Sequence, residues 1–345
     1  MKAVVKTRIE PGNVELIDVP DPKAGPGHVV IEVRNAGICG TDIHIFKSEY
    51  VIKPPVTLGH ELCGTIVEVG PGVTRLKVGD RVTVNPSAGK LCGHCRYCQI
   101  GAPFFCIDRA AVGSGMNGGF AKYIGVRQEI VFLLPDNLDF ETGALCEPFA
   151  CALQAVIELT TIKPADVVVV SGPGPIGLMC SMLAKGHGAR VILLGTATDA
   201  DRMALGRSLG VDDTVNVDAE DAKQIVDDIT HGYGADVVFE CAGVPASAAQ
   251  CLNLVRRMGH YTQVGIFGKP VEKIDLDKVV IKQVHFQGSM CHTWETWERT
   301  MRFLRQDIVD LRPLISNRLP LSRWEEAFQN VIAGKEIKVL LHPEE

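Results

Sequence analysis

The chain has 345 residues, enough at about 150 residues per domain for two domains with separate cores. With 35 Lys+Arg against 41 Asp+Glu its formal net charge is −6, and no basic block stands out, which argues against nucleic acid or an anionic membrane as partner. No apolar run approaches the roughly 20 residues of a transmembrane helix, and Met1–Lys6 enters strand-like sequence without a secretory apolar region, so a cytoplasmic protein is expected.

From Met1 to about Ala150 the sequence reads as short β segments broken by Gly and Pro, such as Val29–Val33, Gly64–Gly70 and Gly79–Val84. That spacing predicts a barrel-like β unit rather than helices. Near residue 150 the pattern changes. Val167–Val170 is a continuous apolar run, as in a parallel strand buried on both faces. Helical stretches at Ile176–Lys185 and Asp201–Leu209 then alternate with strand-like Val191–Leu194, Thr214–Val217, Val237–Glu240 and Tyr261–Val264, which predicts a doubly wound parallel sheet. After Ser289 come two amphipathic helical stretches, Thr293–Leu304 and Leu321–Ala333, and a closing strand, Val339–Leu341. Spacing alone leaves open which unit this tail joins.

Four of the twelve cysteines crowd into one polar loop as Cys92-x2-Cys95-x2-Cys98-x7-Cys106. In a reducing compartment such clustering points to metal rather than disulfides, and four thiolates close a tetrahedral zinc site of structural type. The other eight are scattered and, Cys39 aside, read as small buried hydrophobes. Gly172-Pro173-Gly174-Pro175-Ile176-Gly177 follows an apolar strand and opens a helix, the context in which a GxGxxG turn holds a dinucleotide pyrophosphate. The acidic residue expected after the next strand, where it would grip the ribose, is missing from Thr196-Ala197-Thr198. Those hydroxyls with Arg202 lean slightly toward NADP, while Asp199 and Asp201 keep NAD open. A third constellation, Cys39 with Gly59-His60-Glu61 and Glu147-Pro148, could hold a zinc with one position open for substrate.

Taken together, the run Gly59-His60-Glu61-x2-Gly64-x5-Gly70-x2-Val73, the Gly79-Asp80-Arg81-Val82 after it, the four-cysteine lobe and the glycine turn resemble, in this order, the zinc-dependent medium-chain dehydrogenases/reductases. The resemblance spans essentially the whole chain and is strongest to the sorbitol (polyol) and threonine dehydrogenase branches, which carry an acidic residue before proline at the position of Glu147-Pro148. It implies an α/β fold: a GroES-like catalytic domain over about 1–152 with a zinc lobe at 89–107, a Rossmann domain over 153–289, and a segment from 290 to 345 returning to the catalytic domain.

Carried over by position, Cys39, His60 and Glu61 match the catalytic zinc ligands and Glu147 the exchangeable one. Asp42 matches a carboxylate supporting the metal site, Thr41 the hydroxyl that takes the substrate proton, and His44 the outer relay histidine. The cofactor set is Gly172, Gly174, Pro175, Ile176, Gly177, Thr196, Thr198, Arg202, Ala242 and Val264, with Ala197 in place of the Asp of NAD users. Phe46, Tyr50 and Phe120 are placed near the substrate pocket by the same resemblance, with core packing as the competing reading. It implies two zinc ions per chain, NAD(P) and a small-molecule alcohol such as a polyol or other vicinal hydroxy compound. L-threonine is the runner-up substrate, and the protein is expected to be a homodimer or homotetramer. A zinc-free quinone reductase or a non-catalytic relative of the fold is the alternative of another class, disfavoured by the ligands present.

Overall fold

The structure, a computed structural model, describes residues 1–268 and 274–344. It divides into two compact units, Met1–Pro148 with His292–Glu345, and Phe149–Cys291.

The first unit begins with strands β1 (Lys2–Lys6), β2 (Val14–Asp18), β3 (His28–Gly37), β4 (Val56–Thr57), β5 (Glu61–Val69), β6 (Arg81–Val84), β7 (Tyr123–Arg127) and β8 (Val131–Leu133). β1 is paired antiparallel by β2 and β4, while β3 is paired antiparallel by both β5 and β7. Burial alternates along β7, where one face is less covered, and Val29, Ile31 and Val33 of β3, Ile66 of β5 and Val82 and Val84 of β6 enter one core. Each such side chain contributes roughly 1.5–3 kcal/mol on burial.

The β-only expectation for this stretch misses α1 (Gly40–Phe46), along with the short α2 (Arg96–Gln99) and α3 (Phe140–Ala144). Ile43 and Ile45, two apart, mimic strand alternation. A capping box decides otherwise: the Asp42 carboxylate accepts from the Cys39 N–H at 2.9 Å and starts a helix there.

A further helix, α4 (Cys146–Leu153), carries the chain into the second unit, whose strands are β9 (Val167–Ser171), β10 (Arg190–Gly195), β11 (Asp213–Asn216), β12 (Ala235–Glu240), β13 (Val255–Gln263) and β14 (His285–Gly288). They form one parallel sheet in the order β11-β10-β9-β12-β13-β14, a Rossmann arrangement. The helices between them are α5 (Pro175–Gly186), α6 (Ala200–Ser208), α7 (Ala222–Thr230), α8 (Pro245–Leu254) and α9 (Asp277–Lys282). β9 lies at the sheet centre and is apolar from Val167 to Val170 because both its faces are covered.

The tail, which spacing left unassigned, belongs to the first unit. It supplies α10 (Trp294–Arg305), β15 (Ile315–Pro320), α11 (Trp324–Ile332) and β16 (Lys338–His342). β16 pairs with the end of β3, Leu340 opposite Gly37 and Leu341 opposite Ala36, while Trp324, Phe328, Val339 and Leu341 enter the same core as β3 and β5. No helix among the described residues is long and apolar enough to cross a membrane.

Candidate metal centres and cofactor turn

The zinc lobe is built from turns. Cys95 caps α2, which places Cys98 one turn further on, and Cys106 returns after a 3₁₀ turn at Pro103–Phe105. Sulfur separations are 4.0 Å for Cys92–Cys98, 3.6 Å for Cys95–Cys98 and 3.5 Å for Cys92–Cys106. Four sulfurs at about 2.3 Å from one tetrahedral zinc stand about 3.8 Å apart, so the cluster has the dimensions of the ion. The backbone N–H of Cys95 points at Cys92 Sγ, and that of Cys92 at Cys106 Sγ, each at 3.3 Å, which favours thiolate. Backbone bonding brings the Cys95 thiol down to about 6, whereas Cys98 is pushed up to about 12 by desolvation and by its hydrogen bond with Cys95.

In the first unit's core, Cys39, at the start of α1, and His60 with Glu61, at the start of β5, bring a thiol, an imidazole and a carboxylate oxygen within 4.8 Å of one another. Gly59 precedes His60 with φ +87°, and a Cβ there would fall 2.4 Å from the Phe120 ring. Only glycine allows that turn over that ring. Phe120 is fully buried in the core, so it supports the turn from beneath and does not line a pocket. Phe46 and Tyr50 are half-buried and pack against the same core.

Asp42 is completely buried, and its Oδ1, 3.7 Å from His60 Nδ1, has no hydrogen-bond partner. Desolvation raises the Asp42 pKa against the pull of His60. Burial opposes charge on His60, yet Asp42, Cys39 and Glu147 hold its pKa well above the ordinary value. A carboxylate facing one ring nitrogen orients the imidazole and leaves the other for a metal. Thiolate, imidazole and carboxylate together suit zinc.

Two residues hold the candidate carboxylates: Lys338, which the sequence does not single out, and His292, which opens the segment His292–Trp297 whose resemblance is to threonine dehydrogenase. Lys338, buried on β16, donates to both oxygens of Glu61 at 2.8 and 2.7 Å and to the Ile38 carbonyl at 3.0 Å. Burial weighs against its charge, but Glu61, Cys39 and Glu147 keep its pKa above the usual lysine value. Burial pushes the Glu61 carboxyl up while Lys338 and His60 draw it down. Glu147 faces the buried His292, Oε1 to Nε2 at 3.3 Å. Desolvation works against its charge, but the His292 bond and the charges of His60 and Lys338 bring its pKa below the ordinary carboxylate range. Lys338 lies 277 residues from Glu61 and His292 lies 145 from Glu147, so no local motif announces either pair. Thr41, Asp42 and His44 all stand on α1, with Thr41 and His44 three residues apart on one face.

In the second unit the glycine turn joins β9 to α5. Gly172 has φ +100°, a Cβ on it would lie 2.6 Å from the Ala242 nitrogen, and one on Gly177 would lie 1.9 Å from the Gly172 oxygen. Gly174, the N-cap of α5, faces open space, so a phosphate can reach the backbone N–H groups there. Pro175 and Ile176 open α5, Ala242 follows β12, and Val264 follows β13, its N–H donating to the Glu240 carbonyl at 2.8 Å. Thus the turn and these residues share the C-terminal edge of the sheet, where nucleotides bind in such folds.

Glu240, also missed in the sequence, is fully buried and braces that edge by accepting from the Ala242 and Gly243 N–H groups, Ser247 Oγ and Gln263 Nε2. Beyond β10, Thr196 Oγ1 donates to Asp199 at 2.8 Å, and Arg202 pairs with the same carboxylate at 3.2 Å. Thr198 bonds Thr196, and the Ala197 N–H donates to Asp218 at 2.8 Å.

Comparison with known proteins accords with this architecture. The alcohol dehydrogenase GroES-like domain family matches residues 25–136, and the zinc-binding dehydrogenase family matches residues 175–306. Sorbitol dehydrogenase of Halalkalibacterium halodurans is 39% identical over 343 residues, 99% of each chain. D-arabitol-phosphate dehydrogenase of Enterococcus avium is 38% identical, covering 100% of this chain and 99% of that one. A chain from Sinorhizobium meliloti solved bound to NADP superposes with TM-score 0.91 at 33% identity over 99% of both. The chain therefore belongs to the zinc-dependent medium-chain dehydrogenases/reductases, in the branch that holds the polyol and threonine dehydrogenases.

Proposed function

We propose that the chain oxidises a secondary hydroxyl of a polyol to the ketone, reversibly, at a zinc site formed by Cys39, His60 and either Glu61 or Glu147. The observation that carries this reading is the convergence of Cys39, His60 and Glu61 within 4.8 Å beside the helix that bears Thr41, Asp42 and His44. When bound, zinc supplies the Lewis acidity that makes a substrate hydroxyl acidic near neutral pH, and NAD(P) accepts the hydride. Asp42 orients His60. Thr41 takes the substrate proton through its hydroxyl and His44 receives it at the outer end of the relay. Glu61, gripped by Lys338, and Glu147, facing His292, are the two carboxylates that exchange at the remaining protein position. Cys92, Cys95, Cys98 and Cys106 hold a second, structural zinc.

The dinucleotide lies against Gly172, Gly174 and Gly177 in this reading, with Pro175, Ile176, Ala242 and Val264 around it. Ala197, where NAD users of the family carry Asp, together with Thr196, Thr198 and Arg202 favours NADP. Asp199, whose carboxylate is engaged by Thr196 and Arg202, is spent on its own turn. Phe46 and Tyr50 remain the aromatic candidates for the substrate side.

The exposed Phe286 on β14, an edge strand, with exposed Val280 and Ile281 on α9, supports a homo-oligomer joined through this sheet. Four cysteines gathered as metal ligands fit a reducing cytoplasm, and the net charge of −6 fits no nucleic-acid role.

The test is turnover of a panel of polyols, a phosphorylated polyol and L-threonine with NAD and NADP, with zinc counted on the same sample. Polyol oxidation with two zinc ions per chain is expected. Turnover of L-threonine alone would move the assignment to threonine dehydrogenase, and one zinc per chain would remove the catalytic site.

A further inference from the structure

α1 ends in an unusual way. Lys47 closes it by donating its N–H to the Ile43 carbonyl at 3.0 Å, and Ser48 then adopts φ +59°, in the left-handed region that non-glycine residues enter at a cost. A buried lysine holds it there. Lys6 on β1 is wholly enclosed, and its ammonium donates to the Glu10 and Gly12 carbonyls, both at 2.7 Å, and to Ser48 Oγ at 3.2 Å. Ser48 Oγ donates onward to the Ile9 carbonyl. All three ammonium protons thus have acceptors, and one of those acceptors is the strained residue.

The left-handed step turns Glu49 back over the helix. Its N–H donates to the His44 carbonyl at 2.8 Å, and its Oε2 lies 3.0 Å from His44 Nδ1. Both side chains are largely covered, 29% and 20% exposed. An ionised carboxylate only accepts, so Nδ1 carries the proton and donates it, and the lone pair stands on Nε2. We propose that Glu49 is a positioning residue of the proton relay, fixing His44 in the Nδ1–H tautomer so that Nε2 is the accepting nitrogen.

This rests on the reading of His44 as the relay histidine. A proton leaving the Thr41 hydroxyl breaks that O–H bond and forms Nε2–H, while Thr41 takes the substrate's proton in the same exchange. The resulting imidazolium lies against the Glu49 carboxylate and returns to neutral by releasing the Nε2 proton to water. Without Glu49 the ring is free to hold its proton on Nε2, with its lone pair on Nδ1, the nitrogen that now faces Glu49.

The experiment compares wild-type enzyme with H44A, E49A and E49Q, each zinc-loaded, using steady-state kinetics and the ring ¹⁵N shifts of His44 in histidine-labelled protein. The His44 signal is assigned by its loss in H44A. Expected are an Nδ1–H signature in wild type, its change in E49A, and a fall in kcat of about 10–100-fold with KM nearly unchanged. E49Q can still accept through its amide oxygen, so it retains the signature and most of the rate. If H44A is as fast as wild type, the relay reading falls and this inference with it. If H44A is slow while E49A keeps wild-type kcat, or is slow with an unchanged ring signature, the assignment of Glu49 alone is overturned.

Discussion

Replacing Lys338 by methionine keeps the length and apolar stem of the side chain but deletes an ammonium with three acceptors, two of them the oxygens of a buried carboxylate. Two losses follow. The Ile38 carbonyl forfeits a hydrogen bond worth about 1 kcal/mol, and Glu61, nowhere exposed, is left as an unpaired buried charge, which costs about 3–5 kcal/mol. For a unit of this size each kcal/mol lowers Tm by about 2–4 °C, so the combined loss of about 4–6 kcal/mol should make K338M melt about 8–24 °C below wild type in calorimetry. Glu61→Gln in the same background removes the stranded charge and should recover at least half of that loss. The double-mutant cycle then shows a coupling of about 2–3 kcal/mol. A K338M shift below about 2 °C, or no recovery in the double variant, would refute the reasoning that this pair is ionised and mutually dependent.

Three other outcomes are expected. Cys98→Ser should reduce zinc by one per chain and lower Tm, because one of four clustered thiolates is lost; unchanged metal content checked by elemental analysis would contradict the site. Gly177→Ala places a methyl group 1.9 Å from the Gly172 oxygen, so the turn must shift, with stability lower by about 1–3 kcal/mol and a raised NAD(P) Kd in fluorescence titration. Asp212 accepts from the Val191 N–H at 2.7 Å and pairs with Lys185; desolvation opposes its charge, but those bonds depress its pKa below 3.8. A depressed carboxyl stabilises above its unfolded pKa and loses that contribution as pH falls through the folded one. Asp212→Asn should therefore lower Tm by a few degrees at neutral pH, and the gap should close in acid below 3.8.

What was legible in the sequence was what neighbouring residues encode. The four cysteines fall within fifteen residues, so turns alone bring them together, and the glycine turn declares itself because β9, the glycines and α5 are consecutive. The valine run of β9 and the alternation after it carried the parallel sheet. Long-range complementarity was not legible. Lys338 reads as an ordinary polar residue before an apolar strand, and Phe120 as a candidate pocket aromatic, until the fold sets one on Glu61 and the other beneath Gly59. Glu49 is equally silent, since its value depends on the backbone of Ser48, which in turn depends on Lys6, forty-two positions away.

β16 gives the catalytic unit a dependence on chain order. Lys338 leaves the ribosome well after Cys39, His60 and Glu61, from which it is separated by 277 residues or more. A nascent chain halted before β16 carries the whole thiol–imidazole–carboxylate cluster with Glu61 lacking its ammonium counterpart. Assembly of this metal pocket in its final electrostatic form thus waits for β16 to be made.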